Sequence, residues 1–388
     1  MLTALLLLQA VPAGQQPQAA DVVVTARPLA QTEKALSDCV ARNCPPDQEA
    51  AAALAHAEGQ FLAGSYPGAM STLRQTLNRV DGAARSHPVP VGNLWLAYGR
   101  IAQHRGLNDL ARGAMLESLD ALRAGLPRTD KIVLAQRIEV AEAAALAGRA
   151  QSALSLYHDV AADAERLGLH RIQGDAIFRE ALLQAVLDER TGDGRRTRAR
   201  NVLDRLARTK APELAPYRNA GEQLFLAMDA QAGDEKALEQ LIARAGPAGG
   251  ATPQLIYAPP VTDPLQQARD ARGLLGATPL PSPNFRDQWV DVGYLIGTDG
   301  RVVDARVLRQ SAHRRGDWSE RVLDAVRRRR FTPLASEAAG PGLYRVERLT
   351  LTSPLQVAET GTRLQERTGA WQVVSIDLTD EKAASRPR

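Results

Sequence analysis

The chain has 388 residues, of which 44% are hydrophobic and only 4% aromatic, and its formal net charge at pH 7 is +4. That length indicates two or three structural units rather than one. Alanine and leucine, the residues that cost least to place in a helix, are abundant and favour a largely helical protein. Beyond the first residues no stretch is long and apolar enough for a membrane helix, so we expect a soluble mature chain.

The N-terminus has the pattern of a secretory signal peptide over residues 1–13. Its apolar run is too short to span a bilayer, and Ala13 ends it in the small-residue pattern of a cleavage site. No Lys or Arg precedes the apolar run, so a disordered tail or a start codon placed too late is the alternative. We expect an exported protein that begins with a flexible segment over residues 14–45.

That segment contains an isolated stretch with high β-propensity, "DVVVTARP". Consecutive β-branched residues favour extended backbone. Pro28 would stop a strand, because proline cannot donate a hydrogen bond to a neighbouring strand. The β-prone residues are Val22, Val23, Val24 and Thr25.

The chain contains two cysteines, Cys39 and Cys44. In an exported protein such a closely spaced pair predicts a disulfide, which acts as a local staple because the loop is small. The alternative is a metal-binding or redox pair. However, no further cysteine or histidine is placed to complete a zinc site, and the C-x-x-C motif is absent.

Residues 46–245 carry a repeat built around Gly64, Gly106 and Gly148, which stand 42 residues apart. Such a repeat predicts stacked helical hairpins. Glycine ends the first helix, an alanine five residues later allows close approach, and a large residue one turn further fills the core. The aligned positions are Ala69, Ala111 and Ala153, then Leu73, Met115 and Tyr157, with looser copies at Gly194/Ala199/Leu203 and Gly233/Leu238/Ile242.

This pattern resembles the tetratricopeptide repeat, with Gly64, Tyr66, Ala69 and Leu73 at the family's spacing in "EGQFLAGSYPGAMSTLRQTL". The period is longer than the family's usual length of about 34 residues, and longer helices or connections would absorb the difference. The resemblance implies a concave surface that binds a peptide or a protein. An irregular helical solenoid without a binding groove is the alternative.

No set of residues for catalysis or metal binding is visible in the sequence. The six histidines are scattered, and no H-E-x-x-H motif occurs. "TGDGRR" at 191–196 lacks the preceding strand and the lysine of a phosphate-binding loop and predicts a turn between helices. We therefore expect no enzymatic activity, no metal and no cofactor.

Glycine and proline in residues 246–284 predict a linker, after which the hydrophobic period changes. "WVDVGYLIGTDGRVVDARVLRQS" alternates as a β-hairpin with Asp299-Gly300 at the turn. "GDWSERVLDAVRRRRF" predicts a helix, "GLYRVERLTL" a strand, and residues 361–378 a further hairpin. One face of the first strand carries Val290, Val292, Tyr294 and Ile296, and the apolar face of the helix carries Trp318, Val322, Ala325 and Val326.

The resulting β-β-α-β order resembles the C-terminal domain of the TonB family of energy transducers. The resemblance implies a periplasmic domain over residues 285–380, in which a helix packs on a small antiparallel sheet. Phe331 should be buried between them, and Arg327 to Arg330 should be mostly exposed. The residues that match are Asp299, Gly300, Arg301 and Val302, then Arg330, Phe331 and Pro333; the implied edge strand, which accepts a partner strand, contains Tyr344, Val346 and Arg348.

The segment Val22–Thr25 is similar to the TonB box of TonB-dependent receptors. We hypothesise that it docks as an added strand on the sheet edge of a TonB-type domain. That domain is either this chain's own, which gives self-inhibition or a homodimer, or that of a separate transducer. A disordered leader is the alternative.

The fold class we predict is multidomain, α then α+β: an α-solenoid of helical hairpins followed by the small β-β-α-β domain. The function we predict is a non-enzymatic periplasmic adaptor in transport across the outer membrane, with a TonB-dependent receptor or a transducer complex as partner. The alternative is an envelope scaffold in which the TonB-like domain only folds or dimerises. A free sheet edge would favour the adaptor, and an edge closed by residues 370–378 would favour the scaffold.

Residues 300–330 carry ten arginines and four acidic residues. A basic patch of this kind is one mark of nucleic-acid binding. An exported protein rarely meets nucleic acid, and the patch lacks the aromatic side chains on which single strands stack. We therefore expect no nucleic-acid partner.

Overall fold

The computed structural model describes residues 28–245, 253–259, 261, 288–312, 314–334, 342–353, 355–357, 365–367 and 372–379. The predicted signal peptide and Val22 to Thr25 lie outside them. The described chain divides into two units, of which the first ends at residue 219 and the second begins at residue 220. This boundary precedes the one predicted at 245, so the last repeat belongs to the second unit.

The first unit is made of helices. They are α1 (Leu29–Ala41), α2 (Pro46–Leu62), α3 (Tyr66–Val80), α4 (Pro88–His104), α5 (Asn108–Gly125), α6 (Lys131–Leu146), α7 (Ala150–Arg166), α8 (His170–Arg190) and α9 (Thr197–Arg208). Helix α10 (Ala215–Gln231) crosses the boundary, and α11 (Glu235–Ala245) follows in the second unit. Proline at the first position of α2 and α4 suits a helix start, because its missing N–H has no partner there.

Consecutive helices pack against each other along the first unit and form the hairpins α2/α3, α4/α5, α6/α7 and α8/α9. Gly64, Gly106 and Gly148 follow the first helix of three of them, with φ of +82°, +73° and +77°. Glycine adopts this left-handed conformation without a Cβ penalty, so it ends the helix as predicted. The region is therefore a helical-hairpin array, as the repeat pattern indicates.

The alanines of the repeat lie at the helix contacts. Ala69, Ala111 and Ala153 are at most 1% exposed, and the large residues Leu73 and Met115 one turn later are equally buried. The looser copies differ from the prediction. The glycine with positive φ after α8 is Gly192 rather than Gly194.

In the last hairpin the buried residues are Ala237 and Leu241 instead of Leu238 and Ile242. A cap before α11 accounts for this shift of one residue. The Oδ1 atom of Asp234 accepts the backbone N–H groups of Lys236 and Ala237, which sets the start of the helix.

The predicted flexible segment 14–45 is helical over residues 29–41, where α1 packs on α2. The hydroxyl of Thr32 lies 3.0 Å from Nδ1 of His56 on α2, and both side chains are buried. Cys39, near the end of α1, forms a disulfide with Cys44, just before α2. Contact with α2, rather than a strong amphipathic pattern, accounts for this helix.

After α11, the second unit contains antiparallel strands and a further helix, α12 (Trp318–Arg327). The strands are β1 (Leu255–Tyr257), β2 (Gln288–Ile296), β3 (Val302–Gln310), β4 (Arg330–Phe331), β5 (Leu343–Thr352), β6 (Leu355–Val357), β7 (Gln365–Arg367) and β8 (Gln372–Asp377). The main sheet has the order β3-β2-β5-β8, while β1 pairs with β4 and β6 pairs with β7.

Three of these pairings differ from the sequence prediction. Strand β1 lies inside the predicted linker 246–284 and pairs with β4, where Leu255 faces Phe331. Residues 361–378 do not form their own hairpin, because β7 pairs with β6 and β8 pairs with β5. The pairings of β1 with β4 and of β5 with β8 join strands that are not neighbours in the chain, which alternation within one segment does not reveal. Strands β6 and β7 are neighbours, and their pairing begins earlier in the chain than the predicted hairpin.

The core of the second unit lies between the sheet and α12. The alternating residues of β2 that were predicted to share a face are all buried there, as is the predicted apolar face of α12. The buried cluster comprises Val290, Val292, Tyr294, Ile296, Val302, Ala305, Trp318, Val322, Val326, Phe331, Leu349 and Leu351. In the part of the chain that the structure describes, no helix combines the length and apolarity needed to cross a membrane.

Candidate interaction sites

The residues that carry the TonB resemblance lie together at one end of the sheet. Gly300, in the turn between β2 and β3, has φ of +77°, and a Cβ there would lie 2.1 Å from the carbonyl oxygen of Phe331. The N–H of Phe331 donates to the Gly300 carbonyl at 2.8 Å. Arg301 and Arg330 form a β-bridge alongside, Val302 is buried and Pro333 is half-buried. Only glycine fits at position 300, because the backbone that follows α12 lies against the turn and leaves no room for a Cβ.

Phe331 is 2% exposed, as expected, although it lies in β4 rather than at the end of the helix. Its ring centroid is 6.1 Å from that of Tyr294. The guanidinium carbon of Arg345 lies 5.5 Å from the Phe331 ring centroid, within cation–π range. Phe331 therefore holds the turn, the helix end and the sheet together.

The prediction that Arg327 to Arg330 are mostly exposed holds for Arg327 and Arg328, but Arg330 is half-buried and Arg329 is only 5% exposed. Nη1 of Arg329 donates to Oε2 of Glu347 at 2.6 Å, and the hydroxyl of Tyr294 donates to Oε1 of the same carboxylate. Burial alone would raise the pKa of Glu347, but Arg329 and the Tyr294 hydroxyl outweigh burial and lower that pKa. Burial and the adjacent Glu347 carboxylate raise the pKa of Tyr294. The three groups form a buried structural network.

The prediction that Tyr344, Val346 and Arg348 form a sheet edge is also wrong for Val346 and Arg348. Strand β5 is internal, since β2 pairs with one side and β8 covers residues 347–352 on the other. The N–H of Leu378 also donates to the Val346 carbonyl. Tyr344 pairs with Leu295 of β2 and precedes the part that β8 covers.

Arg348 is 1% exposed and has a structural role. Its guanidinium makes two hydrogen bonds with Asp291, at 2.7 and 3.0 Å, and its Cζ lies 3.9 Å from the Trp289 ring centroid. Arg309 of β3 lies 2.7 Å from the same carboxylate. Two arginines therefore neutralise a fully buried Asp291, and Arg348 is not available to a partner strand.

A surface pocket of about 310 Å³ opens between α3, α4 and α5 of the first unit. Trp95 and Tyr98 lie on one side of it, with ring centroids 6.1 Å apart in an edge-to-face arrangement. Leu110, 39% exposed, lies on another side. Gly113 on α5 leaves the pocket open, because no atom lies within 4 Å of the position of a Cβ there.

Charged side chains surround these apolar groups. Arg74 donates to the Tyr98 hydroxyl, and its Cζ lies 5.2 Å from the Tyr98 ring centroid. Nε1 of Trp95 donates to Oδ1 of Asp81 at 2.9 Å. Asp109 and Glu117 also line the pocket. An aromatic floor with a polar rim suits a side chain of a protein partner, since anchors of this kind contribute most of the binding energy at interfaces.

Sequence reasoning missed this pocket, although one signal was present. In a chain with few aromatic residues, "NLWLAY" places Trp95 and Tyr98 three residues apart, on one face of a helix. Within the described ranges, no group of three or more His, Cys, Asp or Glu side chains is arranged to hold a metal ion.

No protein-family model and no curated protein sequence matches the chain. A solved structure from Podosopora anserina, described as a kinesin light chain with nearly identical TPR-like repeats, is 17% identical. The match covers 47% of this chain and 88% of that one, with a TM-score of 0.38. BtubC (BKLC) from P. vanneervenii is 15% identical and covers 66% of this chain and 95% of its own, with a TM-score of 0.42. The helical-hairpin array is established by the packing of consecutive helices and by the positive-φ glycines between them.

Proposed function

We propose that the protein is a non-enzymatic scaffold that binds protein partners through its helical-hairpin array. The observation that carries this proposal is the open pocket between α3, α4 and α5, where Trp95 and Leu110 present apolar surface inside a charged rim and the buried Tyr98 supports Trp95 from below. A stacked array keeps such a pocket rigid, which lowers the entropy cost of binding.

The closed edge of β5 supports the scaffold over the adaptor in transport. The edge that the TonB resemblance implies for a partner strand is β5, which would have to be unpaired to accept it. Strand β8 already occupies that side of β5 over residues 347–352. In this proposal the TonB-like domain is a folding module, supported by the contact between Gly300 and Phe331, rather than a receptor-binding domain.

In this proposal, the segment Val22–Thr25 docks on a sheet edge other than β5. Of the strands in the main sheet, β3 lies at the end opposite β8. It exposes Val303, Val307 and Leu308, and its backbone would receive an added strand from this chain or from a second copy. A TonB-dependent receptor is not needed for this arrangement.

We also propose that the scaffold acts in the periplasm of a Gram-negative envelope. The signal-like residues 1–13 support export. The disulfide between Cys39 and Cys44 supports an oxidising compartment, since cytosolic proteins rarely keep such bonds.

The test uses a variant that places a side chain in the pocket and leaves the other lining residues unchanged. Because a Cβ at Gly113 would meet no atom within 4 Å, Gly113→Phe should place a ring in the pocket while the helix is kept. Gly113→Ala is the matched control, since a methyl group leaves most of the pocket open. We expect crosslinking in intact cells to capture a protein with the wild-type and Gly113→Ala chains. Its yield should fall at least about tenfold with Gly113→Phe, because the ring occupies the place of the partner's side chain.

Equal capture by all three chains would overturn the proposal, as would the absence of any captured protein. Far-UV circular dichroism of Gly113→Phe checks that the array is intact.

A further inference from the structure

A second pocket of the first unit, of about 300 Å³, is lined mainly by arginines. It lies where the end of α5, the connection to α6, and α6 itself meet the end of α7. We call it the arginine pocket. Its charged lining comprises Arg123, Arg128, Arg137, Arg166 and Asp163.

Two of these arginines form ion pairs with the carboxylate of Asp163. Nη1 of Arg137 lies 2.5 Å from Oδ2 of Asp163, and Arg166 donates to Oδ1 of the same group. The side chain of Arg137 is only 14% exposed, so this ion pair is built into the fold. The pocket thus already holds one carboxylate between two guanidinium groups, a geometry that favours carboxylate over neutral ligands.

The other two arginines have no such carboxylate. Among the described residues neither Arg123 nor Arg128 forms an ion pair, and both side chains are exposed. The protein atoms around the base of the Arg123 side chain, and then the positive charge of Arg137, lower the pKa of this otherwise exposed group, while Asp120 on the same helix opposes the shift. The pocket therefore carries an excess of positive charge that an incoming anion would neutralise.

Apolar surface lies beside the unpaired arginines. Leu134 is buried in the pocket wall, and Leu167 is 42% exposed. A small inorganic anion would leave this surface in water, whereas a peptide would cover it. A peptide in which acidic residues flank an apolar residue matches both the positive charge and the apolar surface of the pocket.

We propose that the arginine pocket binds an acidic peptide segment of a protein partner, with a carboxylate held by Arg123 and Arg128 and an apolar side chain against Leu167. This deepens the proposed scaffold function and rests on it, since it names the chemistry of one partner segment. The carboxylate of the bound peptide is then a second carboxylate in the pocket, beside that of Asp163.

The experiment measures fluorescence anisotropy of a labelled peptide, Glu-Glu-Leu-Glu-Glu, with the full chain at low salt. A peptide with Gln at the four acidic positions tests the need for charge, and inorganic phosphate is the competitor that tests for a simple anion site. The test variant is Arg123→Gln with Arg128→Gln, which removes two exposed charges and no ion pair.

The matched control, Arg149→Gln with Arg190→Gln, removes the same charge elsewhere. Arg149 precedes α7 and Arg190 ends α8, so both lie about one helix length, on the order of 25 Å, from the arginine pocket. Both are exposed, as in the test pair. A loss caused only by net charge would appear equally in both variants.

We expect the acidic peptide to bind the wild-type and control chains with affinities within about twofold, and the test variant at least about tenfold more weakly, or about 1.4 kcal/mol. Equal binding of the Gln peptide, equal binding by the test variant, or full displacement by millimolar phosphate would overturn the proposal. If the peptide fails to bind while Gly113→Phe still loses its captured protein, the arginine pocket is refuted and the scaffold function stands.

Discussion

Two glycines in helices of the array have opposite surroundings. A Cβ at Gly174 in α8 would lie 2.3 Å from Cδ2 of the Tyr217 ring, whereas a Cβ at Gly113 in α5 would meet no atom within 4 Å. The first glycine allows two chain segments to approach, and the second only lowers the helix propensity of its own segment. The same substitution therefore has opposite effects at the two positions.

We predict that Gly174→Ala lowers the free energy of unfolding by about 1–3 kcal/mol, because the Tyr217 ring must move. Gly113→Ala should raise it by about 0.5–1 kcal/mol, because alanine favours the helix at an open site. Urea unfolding followed by far-UV circular dichroism measures both. Changes of the same sign would show that the close approach at Gly174 is absent in solution.

The hairpins of the array depend on small residues where helices cross. Ala111 in α5 and Ala153 in α7 are 1% and 0% exposed, and each lies in the first turn of the second helix of a pair. A larger side chain there must displace the facing helix, because protein interiors hold few voids that could accept extra methylene groups.

At this scale we predict that Ala111→Leu and Ala153→Leu each lower the free energy of unfolding by about 1–3 kcal/mol through overpacking. Ala124→Leu, at an exposed position of α5, is the control and should change stability by less than about 0.5 kcal/mol. Thermal unfolding compares the three. A stable Ala111→Leu or Ala153→Leu variant would mean that the helices do not cross at these alanines.

At the scale of the whole molecule, the stability of the second unit should depend on pH through one buried carboxylate. In the second unit Arg329 and Tyr294 bind the buried Glu347, whose pKa is lowered on folding. A carboxyl with a lowered pKa contributes stability above its unfolded pKa of about 4.3, and that stability is lost as the pH falls through the folded pKa.

We therefore predict that the second unit loses stability as the pH falls below about 4.3. Glu347→Gln should weaken this dependence while lowering stability at pH 7, since Arg329 then lacks its counter-charge. Glu320→Gln, at an exposed position of α12, should keep the wild-type pH dependence. The readout is urea unfolding of the full chain by tryptophan fluorescence between pH 3 and 7. An unchanged pH dependence in Glu347→Gln would contradict the assignment.

The sequence by itself determined the features that depend on residues close together in the chain. The glycines that end helices, the alanines of the repeat, the Asp299-Gly300 turn and the apolar face of α12 all follow from spacing and backbone preference. The motif around Phe331 was also visible, because it forms a short run. The contact between Phe331 and Gly300 was not, since some thirty residues separate them.

Only the tertiary structure decided which strands pair and which charges are buried. Strand β8 covers β5 and so closes the edge that the sequence left open. Arg329 and Arg348 look like surface residues in sequence, yet each is neutralised by a carboxylate from another strand. The two pockets of the array likewise join residues of several helices. Composition and spacing do not encode these contacts, because the contacts depend on how segments distant in the chain pack together.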